Sequence, residues 1–236
     1  MTAGVNADPR AAALITVLRD CGITDDKVLG AIERIPRERS VPPTFQEHAY
    51  DNTALPIGHG QTVSQPLVVA MMTAALALNH RSKVLEIGTG CGYQTAVLAH
   101  LARRVYSIER HPALLRDAEA RLKELRVRNV ETLAGDGALG WPDHAPFDRI
   151  IVTAAADEAV PPALIEQLGP GGIMVIPVAA SAIDQRLLRL ARGRDGTIES
   201  TDLGAVRFVP LVSEHDGGGD RPRPLSKEIA RLRRRP

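Results

Sequence analysis

Residues 83–95 read KVLEIGTGCGYQT, and their interpretation decides the fold. The apolar run through Ile87 predicts a buried strand, and YQTAVLAHLAR (93–103) has helical spacing, so Gly88, Gly90 and Gly92 fall in a loop between strand and helix. That placement lets backbone approach a ligand and turns the free amides of the helix towards it. A phosphate-binding P-loop needs a lysine before a Ser or Thr at the end of the motif; Tyr93-Gln94-Thr95 offers none, which argues against an NTPase. A dinucleotide fingerprint needs its third glycine at position 93, where Tyr93 stands, so NAD is disfavoured but stays open.

Working outward, short apolar runs alternate with helical patterns: RVYSIER (104–110), HPALLRDAEARLKELR (111–126), VETLAGD (130–136), FDRIIVTAAA (147–156), PPALIEQL (161–168) and GGIMVIPV (171–178). This rhythm predicts an α/β fold, a doubly wound, mostly parallel sheet of about seven strands. QRLLRLAR (185–192) and LGAVRFVPLV (203–212) predict a closing strand pair turned at Asp195-Gly196. Upstream, PLVVAMMTAALAL (66–78) predicts a helix. AAALITVLRDCG (11–22) predicts another, closed by Gly22, and TDDKVLGAIERIP (24–36) a third, capped by Thr24 and stopped by Pro36. Residues 37–65 are dense in Pro, Gly and polar side chains and too long for an idle connection. The expected organisation is one domain over 1–214, with N-terminal helices and a functional loop in 1–65 and a Rossmann-like core in 66–214, followed by a basic tail at 215–236.

Composition narrows the function classes. Lys plus Arg number 29 and Asp plus Glu 28, a net charge of +1, so no global field attracts nucleic acid or an anionic membrane. The apolar stretch 66–78 is shorter than the ~18 residues a membrane span needs. Two cysteines, Cys21 and Cys91, are too few and too far apart for a disulfide framework or zinc site, which predicts a reducing, cytoplasmic setting. The histidines (His48, His59, His80, His100, His111, His144 and His215) show no metal spacing, so no metal is expected. A monomer is the favoured state.

G-x-G-x-G at 88–92, with Glu86 two residues before it, resembles the cofactor motif of class I S-adenosylmethionine methyltransferases. Such a cofactor has no phosphate, so no loop lysine is required, and Glu86 is placed to hold its ammonium group. Glu109 ends the next strand, where an acid can accept from ribose hydroxyls of an adenosine ligand; its competing reading is a solvated strand end. Asp136 ends the third strand and suits an adenine amino group, or alternatively caps a turn. A redox or nucleophilic role for Cys91 is disfavoured, because small residues are natural in such a loop.

AYDNTALPIGHGQTVSQP (49–66) resembles the N-terminal signature of the protein-L-isoaspartate O-methyltransferase family, and VLEIGTGCGYQTAVLA (84–99), Gly135-Asp136-Gly137, FDRIIVTAAA and VRFVPLV (206–212) match the same family in the same order. Asn52 departs from those relatives that carry Asp there, as does the basic tail. The resemblance implies methyl transfer from S-adenosylmethionine to the α-carboxyl of L-isoaspartyl residues in damaged proteins and peptides, the ester then closing to a succinimide. An α-carboxylate, with pKa near ~3.5, is already an anionic nucleophile, so no general base is needed. The implied cofactor residues are Glu86, Gly88, Thr89, Gly90, Gly92, Glu109, Arg110, Asp136 and Gly137. Ser64 is the implied catalytic residue; it could equally cap the helix that starts at Pro66. Leu55, Pro56, Val63, Arg207 and Val209 are the implied substrate contacts, Arg207 having a solvated-cation alternative. Three other functions stay open: a methyltransferase for Asp of a dedicated peptide, a cofactor-binding module without turnover, and a nicotinamide oxidoreductase.

Overall fold

The computed structural model describes residues 8–179, 181 and 184–213; the basic tail expected at 215–236 lies outside the described residues. Two helices open the chain, α1 (Pro9–Asp20) and α2 (Asp26–Arg34). Helix α1 buries Ala11, Leu14, Ile15 and Leu18, a single stripe at helical spacing. It ends as expected at Gly22, whose φ of +92° lets the Ile23 amide donate back to the Leu18 carbonyl at 3.0 Å. The cap of α2 is Asp25, not Thr24: its carboxylate accepts from the amides of Lys27 and Val28 at 2.9 and 3.2 Å. An aspartate there satisfies the free amides and also brings negative charge to the positive end of the helix dipole.

A hairpin of β1 (Leu55–Gly58) and β2 (Gln61–Val63) emerges from the Pro-rich loop and leads into α3 (Pro66–Ala75), which stops three residues short of the expected end. The α/β core follows: β3 (Lys83–Ile87), α4 (Tyr93–Leu101), β4 (Arg104–Glu109), α5 (Pro112–Glu124), β5 (Val130–Ala134), β6 (Phe147–Val152), the two-residue β7 (Ala156–Asp157), α6 (Pro162–Gln167), β8 (Leu168–Ala179), β9 (Gln185–Arg192) and β10 (Ile198–Val206). The strand order is β10-β9-β8-β6-β3-β4-β5, seven strands along the main path, with β7 an addition beside β8. Strands β3, β4, β5, β6 and β8 run parallel, and β9 is antiparallel to both β8 and β10.

Central strands carry buried apolar runs because helices cover both faces. Val84 and Leu85 on β3 and Ile150, Ile151 and Val152 on β6 have no exposed surface, each contributing on the order of 1.5–3 kcal/mol of apolar burial. The edge strand β10 instead alternates polar and half-buried residues and bulges between Asp202 and Ala205. The chain from β3 leaves to β4 on one side, and β6 lies on the other. A crevice at the carboxyl ends of these strands is the topological switch point where ligands bind in such sheets.

The last expected strand has different bounds. It begins at Ile198 and stops at Val206, and Arg207–Val212 instead folds back across the carboxyl ends of the strands. The Ala155 amide donates to the Val209 carbonyl at 2.8 Å and the Leu211 amide to the Ala155 carbonyl at 2.7 Å. The Gln185 side chain grips Phe208 from both sides, accepting from its amide at 2.7 Å and donating to its carbonyl at 3.1 Å. Pro210 has no amide to offer a ladder, which disfavours a longer strand here.

Candidate active site

The crevice opens into a cleft of about 970 Å³, counting its mouth, walled by the glycine loop, the ends of β4 and β6, the β1–β2 hairpin, Ser64 and the Val209–Val212 strap. Its floor is set by Gly88, at φ +95°, where a Cβ would overlap the Thr153 hydroxyl. That hydroxyl donates within reach of both the Ile87 and Gly88 carbonyls, each 2.9 Å away, and ties the loop to β6. Across the loop, the Glu109 carboxylate accepts from the Gly90 amide at 2.8 Å and the His111 amide at 2.9 Å. Glu109 is therefore a fixed acid on the cleft wall, and not a solvated strand end.

Of the expected cofactor residues, Gly88, Thr89, Gly90, Glu109, Arg110 and Gly137 line the cleft. Gly92 is one step behind, at the start of α4. Two acids lie elsewhere. Glu86 stops short of the wall, fully buried, one residue before the end of β3 and level with Ser107 in the β3–β4 register. Its Oε2 accepts from the Ser107 and Thr95 hydroxyls at 2.6 Å each, and Ser107 in turn meets the Thr89 hydroxyl at 2.6 Å. Burial pushes the Glu86 carboxyl up to about 7, against the pull of those hydroxyls, and the charge of Glu109 adds to the rise. Glu86 does not line the cleft, and its carboxylate connects to the loop only through Ser107 and Thr89. Asp136 caps a turn, accepting from the Ala138 amide at 2.9 Å, and receives the Ser213 hydroxyl at 2.9 Å; its neighbour Gly137 reaches the wall instead.

Of the expected catalytic and substrate-contact residues, Ser64, Val63 and Val209 line the cleft. Leu55 does not, because the alternation of β1 turns it into the core cluster formed with α1 to α4; Pro56 faces solvent and Arg207 is exposed. Sequence reasoning missed Ile57, Thr62, Gln94, Thr153 and Leu211, all on the wall. Thr153 sat inside the quoted FDRIIVTAAA run, at a strand end beside the switch point, which is the signal that could have found it. Ser64 is not the cap of α3. The Leu67 amide is met by the Asn52 side chain at 3.0 Å, while the Ser64 hydroxyl makes no hydrogen bond among the described residues. Cys91 lines the cleft with its thiol pushed up by burial, which fits a small apolar wall atom. Among the described residues no group of His, Cys, Asp or Glu suits a metal, and no helix is long and apolar enough to cross a membrane.

The cradle fits a cofactor with an adenosine moiety and no phosphate: a glycine floor, a fixed acid at the end of β4 and no lysine. Fold and site together define an S-adenosylmethionine-dependent methyltransferase of the α/β class. A model of the family "Protein-L-isoaspartate(D-aspartate) O-methyltransferase (PCMT)" matches residues 9–216, and the chain belongs to that family. It is 56% identical over 207 residues to the protein-L-isoaspartate O-methyltransferase of Paramagnetospirillum magneticum, covering 87% of this chain and 96% of that one. To the protein of the same name from Maricaulis maris it is 58% identical over 205 residues, covering 87% and 95%. A solved protein-L-isoaspartate O-methyltransferase superposes with a TM-score of 0.77 at 26% identity, over 86% of this chain and 66% of that one. A Plasmodium falciparum structure, in complex with S-adenosyl-L-homocysteine, gives 0.74 at 23% identity over 87% and 99%, which bears on the fold alone.

Proposed function

We propose that this chain transfers a methyl group from S-adenosylmethionine to the α-carboxyl of L-isoaspartyl residues in damaged proteins and peptides, the step that starts their return to aspartate through a succinimide. The observation that carries the reading is the Ser64 hydroxyl, without a partner among the described residues, in the same cleft as the Glu109-anchored glycine loop. The cofactor supplies an electrophilic methyl on a sulfonium. Glu109 and the loop hold the adenosine end, and the Val209–Val212 strap and β1–β2 hairpin exclude water. Ser64 donates to the acceptor carboxylate and orients it. No side chain has to remove a proton, because the acceptor is already ionised near neutral pH. Backbone of the strap and of Val63 suits a repair enzyme, which must accept many flanking sequences. Its two unpaired cysteines suit a reducing cytoplasm.

The test is one peptide pair, identical except for aspartyl or isoaspartyl linkage at one position. The two carry the same charge and differ in where the carboxylate oxygen sits. Displacement at the methyl carbon needs near-linear alignment, so a misplacement of about 1 Å costs on the order of 100-fold. A base-labile methyl ester forms on the isoaspartyl peptide alone. Equal methylation of both peptides, or esterification of a small acid and neither peptide, would overturn the assignment.

A further inference from the structure

Arg37, in the turn that follows α2, has no exposed surface, and among the described residues its guanidinium forms no ion pair. Its Nη2 donates to the Ser64 carbonyl at 2.7 Å and more weakly to the Thr53 carbonyl at 3.4 Å. Its carbon centre lies 4.8 Å from the centroid of the Tyr93 ring. Among the described residues, Nε, Nη1 and the Tyr93 hydroxyl all lack a partner at hydrogen-bonding geometry. A buried guanidinium without a carboxylate is costly, and carbonyl oxygens and a ring face offset only part of that cost. Its shortest hydrogen bond is to Ser64 and its ring contact is with Tyr93, and both of these residues, unlike Thr53, are walls of the cleft, so its uncompensated charge lies directly behind that wall.

We propose that Arg37 is a positioning residue that supplies the counter-charge for the acceptor carboxylate and so distinguishes substrate from product. The inference deepens the proposed function and rests on it. In the transfer a carbon–oxygen bond forms as the carbon–sulfur bond breaks, the bonding pair goes to sulfur, and no proton moves. The carboxylate's negative charge therefore vanishes along the reaction, leaving a neutral ester and a neutral thioether. A fixed cation behind Ser64 favours the bound carboxylate over the ester. It acts on substrate binding and product release more than on the chemical step, because an interaction weakened in the transition state does not raise kcat. The fixed acid Glu109 serves the opposite, cationic partner, its oxygens already engaged by the Gly90 and His111 amides.

The experiment compares binding of an isoaspartyl peptide and of the same peptide with its α-carboxyl as a carboxamide, by titration calorimetry in the presence of S-adenosylhomocysteine. Wild type should prefer the carboxylate by about 10-fold or more, Arg37→Lys should keep a preference, and Arg37→Met should lower it to about 2-fold or less. S-Adenosylhomocysteine affinity should stay unchanged, and the KM for the isoaspartyl peptide should rise more than kcat falls. A merely structural arginine would weaken both peptides equally. A wild type that methylates the isoaspartyl peptide yet binds both forms equally would overturn the assignment of Arg37 alone, with no variant needed. So would a full preference retained in Arg37→Met. A wild type that methylates no isoaspartyl peptide would overturn the proposed function and this inference with it.

Discussion

Two residues of the loop, Asn52 and Ser64, are expected to divide a structural and a catalytic task that the sequence allowed to be one. The Asn52 Oδ1 accepts from the Leu67 amide at 3.0 Å, and its carbonyl accepts from the Gln65 side chain at 2.9 Å. Since Pro66 has no amide, Leu67 holds the first free donor inside α3, and Asn52 satisfies it from 15 residues upstream. Replacing Asn52 by alanine removes a helix cap, at a cost of about 1 kcal/mol. For a domain near 200 residues that lowers Tm by roughly 2–4 °C. Asn52→Asp keeps the acceptor and adds a charge the helix dipole favours, so its Tm should stay close to that of wild type. Ser64→Ala removes a hydroxyl that bonds nothing among the described residues; its carbonyl, held by Arg37, is untouched. Stability should change by less than about 0.5 kcal/mol, as for a substitution away from packing or hydrogen bonds. A hydrogen bond to a carboxylate is worth about 1.5–3 kcal/mol, so kcat/KM should fall roughly 10- to 100-fold. Thermal melts followed by circular dichroism, beside steady-state release of labelled ester, measure both effects on the same preparations. If Ser64→Ala melts as early as Asn52→Ala, or keeps kcat/KM within about 2-fold, the division of labour is wrong.

Three further outcomes follow from the site. Glu109→Ala should weaken S-adenosylhomocysteine binding by about 10- to 100-fold and also cost about 1–3 kcal/mol of stability, since the Gly90 and His111 amides lose their acceptor; an unchanged dissociation constant removes Glu109 from the site. Gly88→Ala combines an unfavourable φ with overlap on the Thr153 hydroxyl, and should cost about 2–4 kcal/mol in urea unfolding. The double variant Gly88→Ala with Thr153→Ala should be less unstable than the sum of the singles, and strict additivity would show that the overlap is not the cause. Glu86 holds a proton in the folded chain up to about pH 7 that the unfolded chain releases near 4.5. Wild type therefore loses stability as pH rises between those values, by about 3 kcal/mol at most, while Glu86→Gln does not. Parallel urea-denaturation profiles for the two from pH 4 to 8 would refute the burial argument.

The glycine loop, the strand rhythm and the acid at the end of β4 were legible because each depends on local period and on positions that recur at strand ends. Where a side chain ends up at those positions was not. Glu86 and Glu109 stand alike in the sequence, one at the penultimate residue of β3 and one at the last of β4; in the β3–β4 register Glu86 is level with Ser107, two residues below Glu109 on the same face, so the first stays in the helix-covered layer and the second reaches the cleft wall beyond the end of β3. Alternation, by contrast, buries Leu55 and exposes Pro56 within one four-residue strand. Caps could be foreseen when local and not otherwise: the shift from Thr24 to Asp25 is one residue, but the Asn52 cap of α3 comes from across the loop, a tertiary contact no spacing announces. Arg37 is the extreme case. Within Arg-Glu-Arg-Ser its charge has every mark of a solvated loop residue, and Arg39, two residues on, carries the same charge exposed to solvent. What separates the two is the arrival of Tyr93 and Ser64, 56 and 27 residues further along the chain. The charge that matters most to acceptor binding was thus invisible to the patterns that made the cofactor cradle easy to read.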